Sequence, residues 1–474
     1  MIKPLFSLLI VGAASSSLWS QELLWTLPED PNASDAFARN IVPLGDIDGD
    51  GVPDFALSMN EGGQQALRAY SGFDRHELWA AFKGSVVALL FSDQDGDGLA
   101  DILVSGLADG TVFVLRSTTG EVLKPYTGVS GSSFAAPGDL DGDSVDDFIV
   151  GSPWQDRIDA ISGKDGQVLW SYGNTARLGF SLAAMDDIDG DGVRDVLVGA
   201  PEQRNVTPGV GVVLALSGAT GAFLYRVVAP RTAFFGMDLA VYDDADGDGL
   251  EDFVAVAAYG LREERGSLHF LSGATGASLG RHDLDWGSAQ YEFFGRVFAG
   301  PDLNGDGAGE VLFTLASPDR RALMFSGGTR QLLHRFVGDF GRPASFISDL
   351  DQDGRDDLLI VADDEQGRPE LRAYAQPGLF FAIEPPVVRP QDPVEVFIGE
   401  SCGGCPLLIV IEELWGEPVN LAPCGVLRMG GDGTHRVHFQ PSMGLLGVDL
   451  IARCYVQDPS GELIATRRVP FRVE

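Results

Sequence analysis

Seven nine-residue stretches of this chain set acids at alternate positions around glycines, in the pattern D-x-D-G-D-G-x-x-D. They begin at Asp46, Asp93, Asp139, Asp187, Asp244, Asp302 and Asp349, at intervals of 47, 46, 48, 57, 58 and 47 residues. Acids at positions 1, 3 and 5 point three carboxylates into one tight loop. Glycine at positions 4 and 6 permits the positive φ that such a turn needs. The acid at position 9 closes the set from the start of the next strand. Carboxylates gathered this closely repel one another unless a cation joins them. Hard oxygen donors in this number suit Ca2+, which takes about 6–8 oxygens at roughly 2.3–2.6 Å.

Up to seven Ca2+ ions are therefore expected. The ligands are Asp46, Asp48, Asp50 and Asp54 in the first loop, and Asp93, Asp95, Asp97 and Asp101 in the second. Asp139, Asp141, Asp143 and Asp147 form the third set, and Asp187, Asp189, Asp191 and Asp195 the fourth. Asp244, Asp246, Asp248 and Asp252 follow, then Asp302, Asn304, Asp306 and Glu310, then Asp349, Asp351, Asp353 and Asp357. Position 6 is Ser144 in the third loop and position 4 is Gln352 in the seventh. The third loop is expected to be the weakest, because Ser144 must take a glycine conformation. An EF-hand would need an acid at position 12. Leu57, Val104, Val150, Val198, Ala255, Phe313 and Ile360 stand there, and all are apolar.

The loops must be held by strands. An apolar segment precedes each loop and a β-rich segment follows it, as in Asp195-Val196-Leu197-Val198. A third segment ends in a turn such as Leu216-Ser217-Gly218-Ala219-Thr220-Gly221, and a fourth begins after it. Four short strands in each unit of roughly 50 residues describe a propeller blade. Seven units predict an all-β, seven-bladed β-propeller. Trp79, Trp170, Tyr225 and His334 occupy equivalent slots eight residues after the turn position. The last unit lacks its fourth strand, and Glu22-Leu23-Leu24-Trp25 is an orphan before the first loop. The N-terminal strand is expected to close the last blade, with Trp25 in the slot of Trp79 and Trp170.

The chain resembles the FG-GAP repeats of the integrin α-subunit N-terminal propeller and related bacterial exported proteins. Phe235-Gly236, Phe294-Gly295, Val198-Gly199-Ala200-Pro201 and the variant Val150-Gly151-Ser152-Pro153 carry the resemblance, which spans about residues 22–379. It implies a Ca2+ site in the hairpin between the first two strands of a blade. It also implies binding or cell adhesion toward protein or glycan ligands. All seven units here carry the loop, whereas integrins have it in only some.

Residues 1–20 read as a secretory signal, with Lys3 ahead of a short apolar run and small residues after it. A secreted, cell-surface or periplasmic protein is expected. Residues 21–379 form the propeller. Residues 380–474 read as a small immunoglobulin-like β-sandwich. It holds Cys402, Cys405, Cys424 and Cys454, expected in structural disulfides of undecided pairing.

The formal net charge is −36, from 69 acids and 33 bases. Such a balance disfavours nucleic acid, and no apolar run is long enough for membrane insertion. A monomer is expected. Six loops hold four acids at ligand positions and one holds three, 27 in all, which leaves 42 acids against 33 bases. Loss of Lys3 makes the charge −37, and seven Ca2+ ions would bring it to −23. The acidity is therefore mostly a set of metal sites.

No catalytic constellation is present. Gly276-Ala277-Ser278-Leu279-Gly280 matches a nucleophile elbow, but it occupies a blade-turn slot. His76, His269, His282 and His334 are scattered and read as surface or turn residues. The expected function is non-catalytic binding. The alternative is a carbohydrate-active, polysaccharide lyase-like enzyme using Arg204, Arg231, Arg262, Arg265, Trp286 and Tyr291.

Overall fold

The computed structural model describes residues 23–28, 40–61, 64–82, 87–105, 111–173, 177–202, 211–229, 232–260, 266–284, 295–303, 306–315, 321–336, 340–364 and 368–375. Beyond these it describes the backbone of strands between residues 380 and 473. Residues 1–20, Asn304, Cys402, Cys405, Cys424 and the side chain of Cys454 lie outside the description. So do Arg204, Arg231, Arg262, Arg265, Trp286 and Tyr291.

The chain divides into two compact units. The larger comprises Leu23–Pro301 and Gly307–Ala375. It holds seven four-stranded antiparallel sheets. Six are built from consecutive strands, the first being β2 (Ile41–Gly45), β3 (Asp54–Glu61), β4 (Gln64–Tyr70) and β5 (Glu77–Phe82). The first strand of each sheet contacts the first strand of the next, and the seventh returns to the first. The fold is a seven-bladed β-propeller.

The seventh blade draws on both ends of this unit. β26 (Phe340–Ile347), β27 (Asp357–Asp363) and β28 (Pro369–Tyr374) supply three strands, and β1 (Leu23–Pro28) pairs with β28 as the fourth. Trp25 stands opposite Ala373, just after a one-residue bulge at Leu24. Trp79 opposite Ala69 and Trp170 opposite Ala160 have the same register and bulge. The expected slot is thus filled. Pairing β1 into the last blade covers a strand edge that would otherwise be exposed.

The second strand of each blade is an apolar run because both its faces are buried. In β15 (Asp195–Ala200), Val196, Val198 and Ala200 enter the core shared with the preceding blade. Leu197 enters the core shared with the following one. The cores therefore lie in the seams between blades.

The other unit includes residues from Gln376 to Glu474. It has a three-stranded sheet, β29 (Phe380–Glu384), β31 (Val394–Gly399) and β35 (His435–Phe439), and a seven-stranded sheet centred on β32 (Pro406–Leu414) and β36 (Val448–Gln457).

Candidate metal centres

Each acidic loop joins the first and second strands of its blade. The first runs from β2 to β3, and the fourth from β14 (Ser181–Met185) to β15. Carboxylate oxygens of Asp46, Asp48 and Asp50 lie within 4.8 Å of one another, as do those of Asp244, Asp246 and Asp248. In the second, third and fourth loops the close trios include position 9: Asp93, Asp95 and Asp101; Asp139, Asp141 and Asp147; Asp187, Asp189 and Asp195. Gly190 and Gly192 sit at φ +79° and +91°. Ser144 takes φ +69° and Gln352 φ +61°, so both substituted positions adopt the glycine conformation.

The position-1 carboxylate organises the loop backbone. Asp187 Oδ1 accepts the amides of Gly190 at 2.7 Å and Asp191 at 3.0 Å, and its Oδ2 accepts that of Gly192 at 2.7 Å. The Gly192 amide holds the Asp187 carboxyl below the usual carboxylate range. Gly98 does this for Asp93 and Gly249 for Asp244. These acids stay ionised, as cation ligands must.

Position 9 has a second task that spacing did not reveal. Asp195 is fully buried. Its Oδ2 accepts the Ile188 amide of its own loop at 2.7 Å, and its Oδ1 accepts the Gly218 amide at 2.9 Å. Asp54, Asp147 and Asp252 repeat this with Gly72, Gly163 and Gly273, at 2.9, 2.8 and 3.0 Å. The acid therefore ties the acidic loop to the turn between the third and fourth strands. Burial pushes the Asp195 and Asp252 carboxyls up to about 6, against the pull of these amides. A cation beside them would offset that desolvation.

The same turn holds the neighbouring blade. Trp170 of the third blade donates from Nε1 to the Gly218 carbonyl at 2.7 Å. Trp79 reaches the Ser117 carbonyl at 2.7 Å, and Tyr225 the Gly273 carbonyl at 2.5 Å. Gly218 thus accepts from one blade and donates to the buried acid of its own. These three slot aromatics fasten their seams, and each of the three turns they reach also contacts the acid of its own loop. Neighbouring loops also touch directly: Asp186 Oδ2 accepts the Glu251 amide at 3.1 Å, and Asp243 Oδ2 that of Gly309 at 2.7 Å.

In the sixth loop, Asp302 Oδ1 accepts the Asp306 amide at 3.2 Å and Glu310 is buried. In the seventh, Asp349 accepts the Asp353 and Gly354 amides at 2.7 Å each, and Asp357 accepts the Leu350 amide at 2.7 Å.

No family model matches the chain. Two solved structures are similar to this chain at low identity. One is a crystal structure of BBS1N in complex with ARL6DN, soaked with lead: 10% identity, 74% of this chain and 97% of that one covered, TM-score 0.49. The other is BamB from Moraxella catarrhalis: 13% identity, 77% and 100% covered, TM-score 0.41.

One sequence reading needs adjustment, and the blade-turn reading of the elbow-like motif holds. His269 is not a surface residue: it is buried in β20 (Ser267–Leu271), with Nε2 2.9 Å from Ser267 Oγ and its ring edge-on to Phe235. Ser278, in the elbow-like motif, opens β21 (Ser278–Asp283) after a turn closed by the Gly276 amide on the Ser272 carbonyl at 2.7 Å. That is a strand–turn–strand connection, so the motif lacks the helix of a nucleophile elbow.

Proposed function

We propose that this protein is an exported FG-GAP-type propeller whose hairpin loops bind Ca2+, and that it acts as a non-catalytic binding module for an extracellular protein or glycan. The observation that carries the metal reading is the fit of the fourth loop. Asp187, Asp189 and Asp195 bring carboxylate oxygens within 4.8 Å of one another, and Asp195 does so while fully buried. Hard oxygens, one of them desolvated, match a hard divalent cation. Position-1, -3, -5 and -9 side chains would hold the ion. Its role would be structural, because the position-9 acid shares the turn that fastens the seam. At 100 times Kd, one such ion stabilises the fold by about 2.7 kcal/mol.

The antiparallel order of each blade puts the connections between second and third strands at the end away from the acidic loops. Trp154 lies there, between β11 (Asp147–Ser152) and β12 (Arg157–Ile161). It is 77% exposed, with the Arg177 guanidinium 4.6 Å from its ring centre. This end is the proposed ligand face, rigid beneath and aromatic at its surface.

Thermal melting in Ca2+ and in excess EDTA tests the metal reading, which expects a large fall in Tm on chelation. An unchanged curve would sink it. A protein and glycan binding array with Trp154→Ala as control tests the ligand face, and equal binding by both proteins would reject it.

A further inference from the structure

The second loop differs from its sisters in the turn that covers it. In the first, fourth and fifth blades that turn begins Ser-Gly, and the serine hydroxyl reaches the position-5 acid: Ser71 to Asp50 at 3.3 Å, Ser217 to Asp191 at 3.4 Å, Ser272 to Asp248 at 3.3 Å. In the second blade Arg116 and Ser117 stand in these two places. The backbone shows the equivalence, because the Arg116 carbonyl accepts the Gly120 amide as the Ser217 carbonyl accepts that of Gly221. Arg116 Nε donates to Asp95 Oδ2 at 2.5 Å, on the position-3 candidate ligand.

The neighbouring substitution acts in the same region. In the sister blades the position-8 carbonyl abuts the turn glycine, and a Cβ there would fall 2.0 Å from Pro53 O at Gly72 and 1.9 Å from Arg194 O at Gly218. Ser117 cannot approach so closely. Its amide stands 3.3 Å from Asp101, where the glycines stand 2.8 to 3.0 Å from their acids. The buried acid is held more loosely just where a fixed cation has entered the loop.

We infer that Arg116 serves as the second loop's built-in cation, so that this loop keeps its fold without a metal ion and takes Ca2+ more weakly than the first, fourth and fifth. A guanidinium beside Asp95 lowers the charge the loop can offer an ion, and it holds one of the oxygens the ion needs. This rests on the calcium reading above.

The test is Arg116→Ser, which restores the residue of the sister turns. By equilibrium dialysis against tens of micromolar Ca2+, the variant is expected to bind one ion more than wild type. A variant that binds no more than wild type overturns the inference. If wild type itself binds several ions, the calcium reading survives that result; if neither protein binds any, both readings fall. Hydrogen exchange on wild type supplies an arm that needs no variant. On adding EDTA, residues 93–101 are expected to keep their protection while residues 46–54 and 187–195 lose theirs at least tenfold. Equal loss in all three segments overturns the inference.

Discussion

Gly199 and Gly236 meet backbone to backbone across the seam between the fourth and fifth blades. A Cβ on Gly199 would fall 2.2 Å from the Gly236 carbonyl oxygen, and the Ser181 hydroxyl donates to that same oxygen at 2.9 Å. Gly151 repeats the arrangement one seam earlier, with Gly179 O at 2.3 Å from its notional Cβ and Ser133 as the donor. The glycines of the Phe-Gly and Gly-Ala-Pro words are thus two sides of one inter-blade contact. Gly199→Ala is expected to cost about 3 kcal/mol, because backbone on both sides must move. Gly192→Ala, in open space at φ +91°, should cost about 1 kcal/mol. Urea denaturation of the two variants checks the order.

Asp195 and Asp189 should separate two roles that one motif combines. Asp195→Asn removes a charged acceptor from one buried and one part-buried amide, at about 2 kcal/mol. That loss is expected in EDTA as well as in Ca2+. Asp189 accepts only the exposed Asp191 amide at 3.2 Å among the bonds described. Asp189→Asn should leave the EDTA melting curve nearly unchanged and reduce the Ca2+-induced rise in Tm.

Trp25 stacks on Phe55 of the first blade at 5.6 Å between ring centres, and half-buried it packs on the core shared by the seventh and first blades. Trp25→Ala should lose about 3 kcal/mol, and Trp25→Phe less than half of that. Removing the chain through Pro28 bares the edge of β28 and should produce oligomers by strand pairing. Melting and size-exclusion chromatography read these outcomes.

Burial holds the His269 imidazole down at about 4, with Arg281 pushing the same way and Asp283 opposing. The unfolded chain takes up a proton near 6.5 that the folded chain refuses. Stability is therefore full above about 6.5 and falls as the pH drops toward 4, by up to about 3 kcal/mol. His334, half-buried and held by desolvation down to about 4, adds in the same direction. His269→Gln should flatten this part of the profile, read as the difference in urea midpoint between pH 7.5 and 5.

The nonapeptide positions, the blade count and the closing strand with Trp25 in its slot were legible because they are periodic. A repeat records which residues share a place even when it does not show what that place touches. The seams were not legible in this way. Trp170 and Gly218 are 48 residues apart, and Ser181 and Gly236 are 55 apart. Only the rotation from blade to blade brings them together. The buried position-9 acid looked like one more ligand, because spacing carries no information about the turn amide that folds onto it. His269 looked like a scattered surface residue, because nothing local marks a strand buried on both faces. Ser144 drew attention as the irregular residue within a loop. Its φ of +69° fits the turn, and the larger departure is Arg116, which reaches Asp95 from 21 residues away. The sequence by itself determined the seven loops, their carboxylates and the ring that repeats them. The tertiary structure decided which carboxylates also hold backbone, and that Arg116 meets the position-3 acid of the second loop, because both depend on contacts between segments that only the folded blades bring within hydrogen-bonding distance.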